Sequence, residues 1–257
     1  MKSSLTQYRK RHLFNEDDVA VFVDSAKTLA RGELRQSARL LIWWLHNEGW
    51  RFAPNQIVER YQSRGFDRKN GTDTTTRVDI QDMQLVSENG PHGVYYQATP
   101  VTSFRKLLRS LDLDFQSTSF IDFGSGKGRT LLLASELPFL DVIGVEFCVG
   151  LHAIAEENIR LYKNKQALRT RSVCMDATQF QFPDTNLVIY FFNPFDTEIL
   201  SRVLKNLTEA FEHTNRRVVV IYRYLPDRTI FTNYQRFKVL RDWRRYTILE
   251  WTASVKS

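Results

Sequence analysis

The sequence predicts an α/β protein built on an open sheet of seven strands, mostly parallel and closed by an antiparallel hairpin, with an N-terminal helical extension. Three observations predict it. Strand-like and helix-like segments alternate from Ser119 to Arg223. A glycine-rich turn directly follows the first strand, and the last two strand-like runs are too close together for a helical crossover.

The alternating part supplies five parallel strands, and the chain's end supplies the hairpin. The predicted strands are Ser119–Phe123, Val142–Phe147, Arg171–Met175, Leu187–Phe192 and Arg217–Arg223, followed by the pair Phe237–Trp243 and Tyr246–Thr252. Apolar stripes at helical spacing predict helices over Lys127–Leu137, Val149–Lys163 and Thr197–Phe211, and an amphipathic helix after Pro100. Such an alternation places helices on both faces of the sheet.

Residues 1–90 form the predicted extension and lid or linker, and residues 91–257 form the main domain. One helix is expected to end near Gly49, and a second to run from Pro54 to Gly65. From Phe66 to Pro100 the sequence is polar and rich in turn residues, which predicts a long connecting loop. Loops of that length are either functional or flexible, and we favour a functional one.

Composition points to a folded intracellular protein. The 257 residues are 42% hydrophobic and 25% charged, which is ordinary for a globular chain. The two cysteines form no C-x-x-C pair, and no apolar run reaches membrane length, so we expect a cytoplasmic protein without a membrane partner. The net charge of +7 fits attraction to nucleic acid, but the basic residues are spread along the whole chain.

The turn Asp122-Phe123-Gly124-Ser125-Gly126-Lys127-Gly128 is the strongest sign of a ligand. Its glycines allow a tight turn and let a ligand approach bare backbone at the carboxyl end of a strand. The spacing is G-x-G-x-G, whereas a dinucleotide fingerprint needs G-x-G-x-x-G and a phosphate loop needs Ser or Thr after the lysine. The turn therefore predicts a nucleotide-like ligand of another kind.

Three later strands also end in polar residues. Glu146 ends the second strand, where a carboxylate can accept both hydroxyls of a ribose from either an adenosyl or a dinucleotide cofactor. Asp176 ends the third strand and could accept a hydrogen bond from the amine of adenine, or could cap a turn instead. Asn193 follows the fourth strand and could align a ligand or simply end the strand, and for Asp196 we favour a helix cap.

These motifs, taken in order, resemble those of class I S-adenosylmethionine-dependent methyltransferases with a Rossmann-like sheet, most closely a group of uncharacterised bacterial members. The resemblance covers about Tyr95 to Trp251 and extends weakly to Phe66-Asp67-Arg68 and Gly71-Thr72-Asp73-Thr74. It implies S-adenosyl-L-methionine as cofactor and no metal. The implied cofactor contacts are Asp122, Gly124, Ser125, Gly126, Gly128, Glu146, Phe147, Asp176, Ala177, Asn193 and Thr99, with Asn193 and Tyr96 as catalytic candidates.

The methyl acceptor is left open by the sequence. A protein side chain or a small molecule is favoured, and RNA is the alternative that the charge supports. Asn193-Pro194-Phe195 departs from the Asn-Pro-Pro-aromatic motif of adenine and glutamine methyltransferases, which puts those acceptors in doubt. A non-catalytic module that docks a partner through Trp43, Trp44 and Trp50, or a nicotinamide dehydrogenase, are the remaining rivals.

Overall fold

The computed structural model describes residues 65–76, 98–225, 229–232, 236–243 and 245–251. Four of the predictions concern residues outside these ranges. They are the helices before residue 65, the tryptophans of the extension, the domain boundary at residue 90 and the candidate Tyr96.

A single seven-stranded sheet forms the centre of the described chain. Its strands are β1 (Thr118–Phe123), β2 (Asp141–Glu146), β3 (Thr170–Cys174), β4 (Asn186–Phe191), β5 (Val218–Arg223), β6 (Phe237–Asp242) and β7 (Tyr246–Trp251). They lie in the order β3-β2-β1-β4-β5-β7-β6. Strands β1 to β5 are parallel, whereas β7 pairs antiparallel with both β5 and β6. This arrangement confirms the predicted fold class and the seven-stranded sheet that the resemblance implies.

The helices agree with the predicted order, although several are shorter than predicted. They are α1 (Val101–Arg109), α2 (Arg129–Ala134), α3 (Val149–Leu161), α4 (Thr197–Phe211) and the short α5 (Thr229–Thr232). Helix α2 begins two residues later than predicted because Gly126 and Gly128 both have positive φ, which keeps Lys127 in the turn. None of the described helices combines the length and the apolar character that crossing a membrane requires.

The central strands of the sheet are buried on both faces, which explains why they are apolar on both sides, whereas the edge strand β6 is largely exposed. One face packs Phe123, Val145 and Phe191 against α4. The other face packs Phe120 and Tyr190 against α1 and α2. Alternate residues of each strand therefore enter different cores, and the open carboxyl edge carries the polar residues.

The segment before the main domain differs from the prediction. Residues 65–70 are helical, although they belong almost entirely to the stretch predicted as a long connecting loop. The Asn70 side chain donates to the Phe66 carbonyl oxygen at 2.7 Å, and Gly71 ends the helix with φ +68°. Phe66 is buried, which gives this turn an apolar anchor that a polar loop would lack.

Candidate functional site

The glycine turn folds back over the end of β2. The backbone N–H groups of Gly124 and Ser125 both donate to the Val145 carbonyl oxygen, at 2.8 and 3.2 Å. Gly144 makes this approach possible, because a Cβ on it would lie 2.5 Å from the Ser125 Oγ and 2.6 Å from Leu131. The turn thus needs a glycine on the neighbouring strand as well as its own.

The turn's own glycines are required by conformation and by space. Gly124, Gly126 and Gly128 have φ values of +73°, +53° and +79°, in the region that L side chains rarely adopt. A Cβ on Gly124 would lie 2.5 Å from the Cβ of Pro194. The fourth strand's Asn-Pro motif therefore packs directly against the first strand's turn, which brings two of the predicted motifs together.

Glu146 holds the turn from within. It is 3% exposed, and its carboxylate accepts the N–H of Gly126 at 2.7 Å and of Cys148 at 2.9 Å. Burial raises the pKa of Glu146, although these backbone donors act in the opposite direction. A carboxylate offers about four acceptor positions, so capacity remains for a ligand hydroxyl. Glu146 is therefore a buried structural contact of the turn and not a solvated side chain at a strand end.

Asp122 lies beside it as a second buried carboxyl. It is 2% exposed and accepts a hydrogen bond from the Thr130 hydroxyl. Burial first, and then the nearby Glu146 charge, raise the pKa of Asp122 to about 8, while Thr130 acts to lower it. Among the described residues, no lysine or arginine pairs with either carboxyl. Within the described chain, this pair of carboxyls therefore has no cation beside it.

Ser125 and Phe147 flank this pair. The Ser125 hydroxyl is buried next to Gly144 and has no hydrogen-bond partner within the described chain. Phe147 follows the end of β2 and is partly exposed. Both lie at the same edge of the sheet as Glu146, as the sequence predicts.

Asp176 caps a short helix at the end of β3. Its carboxylate accepts from both the backbone N–H and the hydroxyl of Thr178 at 2.7 Å, which begins the 3₁₀ turn Ala177–Gln179. The capping role that was weighed against adenine binding is therefore present. Ala177 is partly buried against the core face that contains Phe123.

Asn193 lies where β4 leaves the sheet. Its φ of +46° is in the left-handed region, and its side chain is partly exposed. Asp196 accepts the N–H groups of Glu198 and Ile199 at 3.1 Å, which confirms it as the N-cap of α4. The two polar residues of this motif thus differ in role.

Thr99 is buried behind the turn. Its hydroxyl lies 3.1 Å from the Tyr190 hydroxyl, on the face of the sheet that α1 covers. Tyr190 lies opposite Asp122 in the parallel pairing of β1 and β4. Thr99 therefore contacts Tyr190, which in turn lies beside Asp122 near the ends of β1 and β4.

Two basic residues, one in the turn and one at the start of α2, were not predicted to have a role. Both pair with residues 65–76 and not with Asp122 or Glu146. Lys127 is fully buried and donates to Asp73 at 2.9 Å. Partial burial acts to raise the pKa of Asp73, but Lys127 and Thr76 outweigh it, and the pKa lies below its usual value. Arg129 is 1% exposed and donates to Thr74 at 2.7 Å and to Asp67 at 3.2 Å.

Asn158 of α3 completes this attachment. Its side-chain oxygen accepts the Asp73 N–H at 2.8 Å, and its amide donates to the carbonyl oxygens of Asp73 and Lys127 at 2.9 Å. Residues 65–76, which we call the docked segment, are thereby fixed to the back of the glycine turn. The sequence signal for it was the weak resemblance over Phe66-Asp67-Arg68 and Gly71-Thr72-Asp73-Thr74.

The chain is similar to solved methyltransferase structures. The mitomycin 7-O-methyltransferase is 14% identical with a TM-score of 0.43, over 60% of this chain and 54% of that one. An RNA methyltransferase from Salinibacter ruber, in complex with S-adenosyl-L-homocysteine, is 20% identical with a TM-score of 0.43, over 61% and 93% of the two chains. A SAM dependent methyltransferase from Aquifex aeolicus is 14% identical with a TM-score of 0.46, over 59% and 91%.

This chain spans about half the length of the mitomycin enzyme, at 54%. No protein-family model and no curated protein sequence matches the chain.

Proposed function

We propose that this chain is a methyltransferase that binds S-adenosyl-L-methionine at the glycine turn and transfers its methyl group to an acceptor. The observation that carries the proposal is the pair of buried carboxyls, Asp122 and Glu146, beside bare glycine backbone with no cation paired to them in the described chain. A ligand that contributes positive charge would neutralise this pair.

The charge of the turn separates the candidate cofactors. A dinucleotide would bring a doubly charged pyrophosphate to a turn where, in the described chain, no free cation is available to compensate it. Lys127 is the turn's own lysine, but it is fully buried and paired with Asp73 instead of facing a ligand. A sulfonium donor has no phosphate and carries positive charge, so it fits the acidic turn.

Different side chains would bind different parts of the cofactor. Glu146 would accept ribose hydroxyls while it fixes the Gly126 N–H, and Asp176 and Ala177 would line the adenine at the next strand end. Gly124, Gly126 and Gly128 would line the amino-acid part, with Ser125, Phe147, Thr99 and Asn193 around them. The donor would thus extend from β1 towards β3.

S-adenosylmethionine supplies a methyl group on a positively charged sulfur, which an acceptor lone pair displaces in line with loss of a neutral thioether. The chain's part is to hold the acceptor atom roughly 3 Å from that carbon and to exclude water. Asn193 lies at the strand end nearest the turn and can orient either partner through its amide. Tyr96 remains the second candidate for this task.

Calorimetric titration tests the cofactor directly. We expect saturable binding of S-adenosyl-L-homocysteine and of S-adenosyl-L-methionine, and no binding of NAD at the same concentration. Gly126→Val should abolish binding, because it places a side chain where the cofactor approaches the backbone. Gly71→Val is the matched control, since Gly71 also has positive φ, +68°, with open space around a Cβ. Equal binding by wild type and Gly126→Val would refute this placement.

A further inference from the structure

Arg223 is a buried cation at the carboxyl edge of the sheet. It ends β5 and is 3% exposed. A guanidinium stays charged at any pH at which the protein is folded. In the part of the chain that the structure describes, Arg223 forms no ion pair with a carboxylate, and its Nε is buried without a hydrogen-bond partner.

Aromatic rings surround the guanidinium. Its Cζ lies 4.2 Å from the centre of the Phe192 ring, 5.1 Å from Tyr224 and 5.5 Å from Tyr246, and its Nη1 donates to the Tyr246 hydroxyl at 3.3 Å. Cation–π contacts recover only part of the hydration that a guanidinium loses on burial. The rings carry no net charge, so this aromatic cage of Phe192, Tyr224 and Tyr246 contains no anion among the described residues.

The backbone around the cage is strained on both sides. Asn193 and Tyr224 are the non-glycine residues with positive φ in the described ranges, at +46° and +58°. They follow the ends of β4 and β5, and a positive φ is unusual for a bulky residue such as tyrosine. Strain of this kind gathers at functional sites. A cleft of about 190 Å³ adjoins the same rings, since Tyr224 and Tyr246 line it together with the charged residues Asp242 and Arg245.

The position of the aromatic cage relative to the glycine turn indicates which ligand Arg223 would contact. If the donor extends from β1 towards β3, the other side of the edge, at β4 and β5, is left for the acceptor. Arg223 lies two strands from Asp122 in the order β1-β4-β5, which is about 10 Å at the usual strand spacing. Nucleic-acid phosphates are held by accessible lysines and arginines, whereas this arginine is enclosed.

We propose that Arg223 binds the carboxylate of a small-molecule acceptor and so positions it for methyl transfer, an inference that rests on the proposed function. The fork of the guanidinium matches a carboxylate, and the surrounding rings fit an aromatic or apolar body attached to it. Arg223 is in this sense an acceptor-specificity residue.

The test uses the full chain with S-adenosyl-L-homocysteine present, and benzoate as the probe. Benzoate should bind in the millimolar range by calorimetry, and its neutral analogue benzamide should not bind at the same concentration and ionic strength. Arg223→Met should weaken benzoate binding by about thirtyfold or more, because it removes the charge that the carboxylate pairs with. Its affinity for S-adenosyl-L-homocysteine should stay within about twofold of wild type.

Arg217→Met is the matched control. Arg217 directly precedes β5, at the opposite edge of the sheet, and is exposed. It should bind benzoate as wild type does. Should Arg223→Met fail to fold, Arg223→Lys keeps the charge without the planar fork and should bind benzoate more weakly than wild type.

Several results would overturn the inference. They are no benzoate binding at tens of millimolar, equal binding by the Arg223 variants and wild type, Arg223-dependent binding of inorganic phosphate in place of benzoate, and Arg223-dependent retention of an RNA oligonucleotide. Failure of the wild type to bind S-adenosyl-L-homocysteine would instead refute the proposed function, whether or not benzoate binds.

Discussion

Asp122→Asn should stabilise the protein at neutral and alkaline pH while weakening cofactor binding. The substitution keeps the shape of the side chain, and its amide oxygen can still accept from Thr130. It removes only the carboxyl, whose pKa burial raises to about 8 from an ordinary 3.8. Because the folded state holds this proton more tightly than the unfolded state, the wild type loses stability as pH rises towards 8.

The magnitude follows from the two pKa values. Each pKa unit corresponds to about 1.4 kcal/mol, so the interval from 3.8 to about 8 sets a ceiling of about 6 kcal/mol. Effective dielectric constants inside proteins are higher than those of dry protein, which reduces the expected gain to about 2–3 kcal/mol. The gain should be near zero at pH 4, grow with pH, and level off above pH 8.

Urea unfolding of both proteins from pH 4 to pH 9 measures the gain as a difference at each pH, so other titrating groups cancel. Asp196→Asn is the control, since Asn caps a helix as well as Asp and this position is exposed. The reasoning would be refuted by a difference that is constant with pH, or by a wild type more stable than the variant at pH 8. Weaker binding of S-adenosyl-L-methionine by Asp122→Asn would show that this carboxyl ionises to pair with the positively charged cofactor.

Three further predictions concern the glycine turn, the attachment of the docked segment and the N-cap of α4. Gly128→Ala should cost more than Gly71→Ala in urea unfolding, since both strain the backbone by about 1–2 kcal/mol but only the first brings a Cβ to 3.1 Å from Ala155. Asn158→Ala removes three hydrogen bonds, so amide exchange in residues 71–76 should speed up by about 30-fold or more; unchanged exchange would contradict the attachment. Asp196→Ala should cost about 1 kcal/mol in urea unfolding and Asp196→Asn almost nothing, and equal losses would argue against a cap.

The positions of the strands along the chain and the residues at their ends could be predicted because both depend on local patterns. Apolar runs, turn residues and glycine spacing identify the strands, and parallel pairing then places their carboxyl ends at one edge. Gly124 and Pro194 meet there, with a Cβ on the glycine only 2.5 Å from the proline. The helix at residues 65–70 was missed, because the polar and turn-forming residues after Phe66 locally indicate a loop; this helix ends where Gly71 adopts positive φ.

Long-range pairing of charges explains what the sequence could not predict. Lys127 lies within the glycine turn and Arg129 begins the helix after it, where basic residues usually suggest an anionic ligand, yet they pair with Asp73 and Asp67, 54 and 62 residues away. That pairing removes the positive charge from the ligand side, and Asp122 and Glu146 then determine the electrostatics of the turn. The cofactor preference therefore depends on contacts to the docked segment as much as on the glycine motif. Exchanging Lys127 for a neutral residue should release this segment and leave the acidic pair unchanged. If Lys127 instead bound a phosphate of the cofactor, the same exchange would directly lower cofactor affinity.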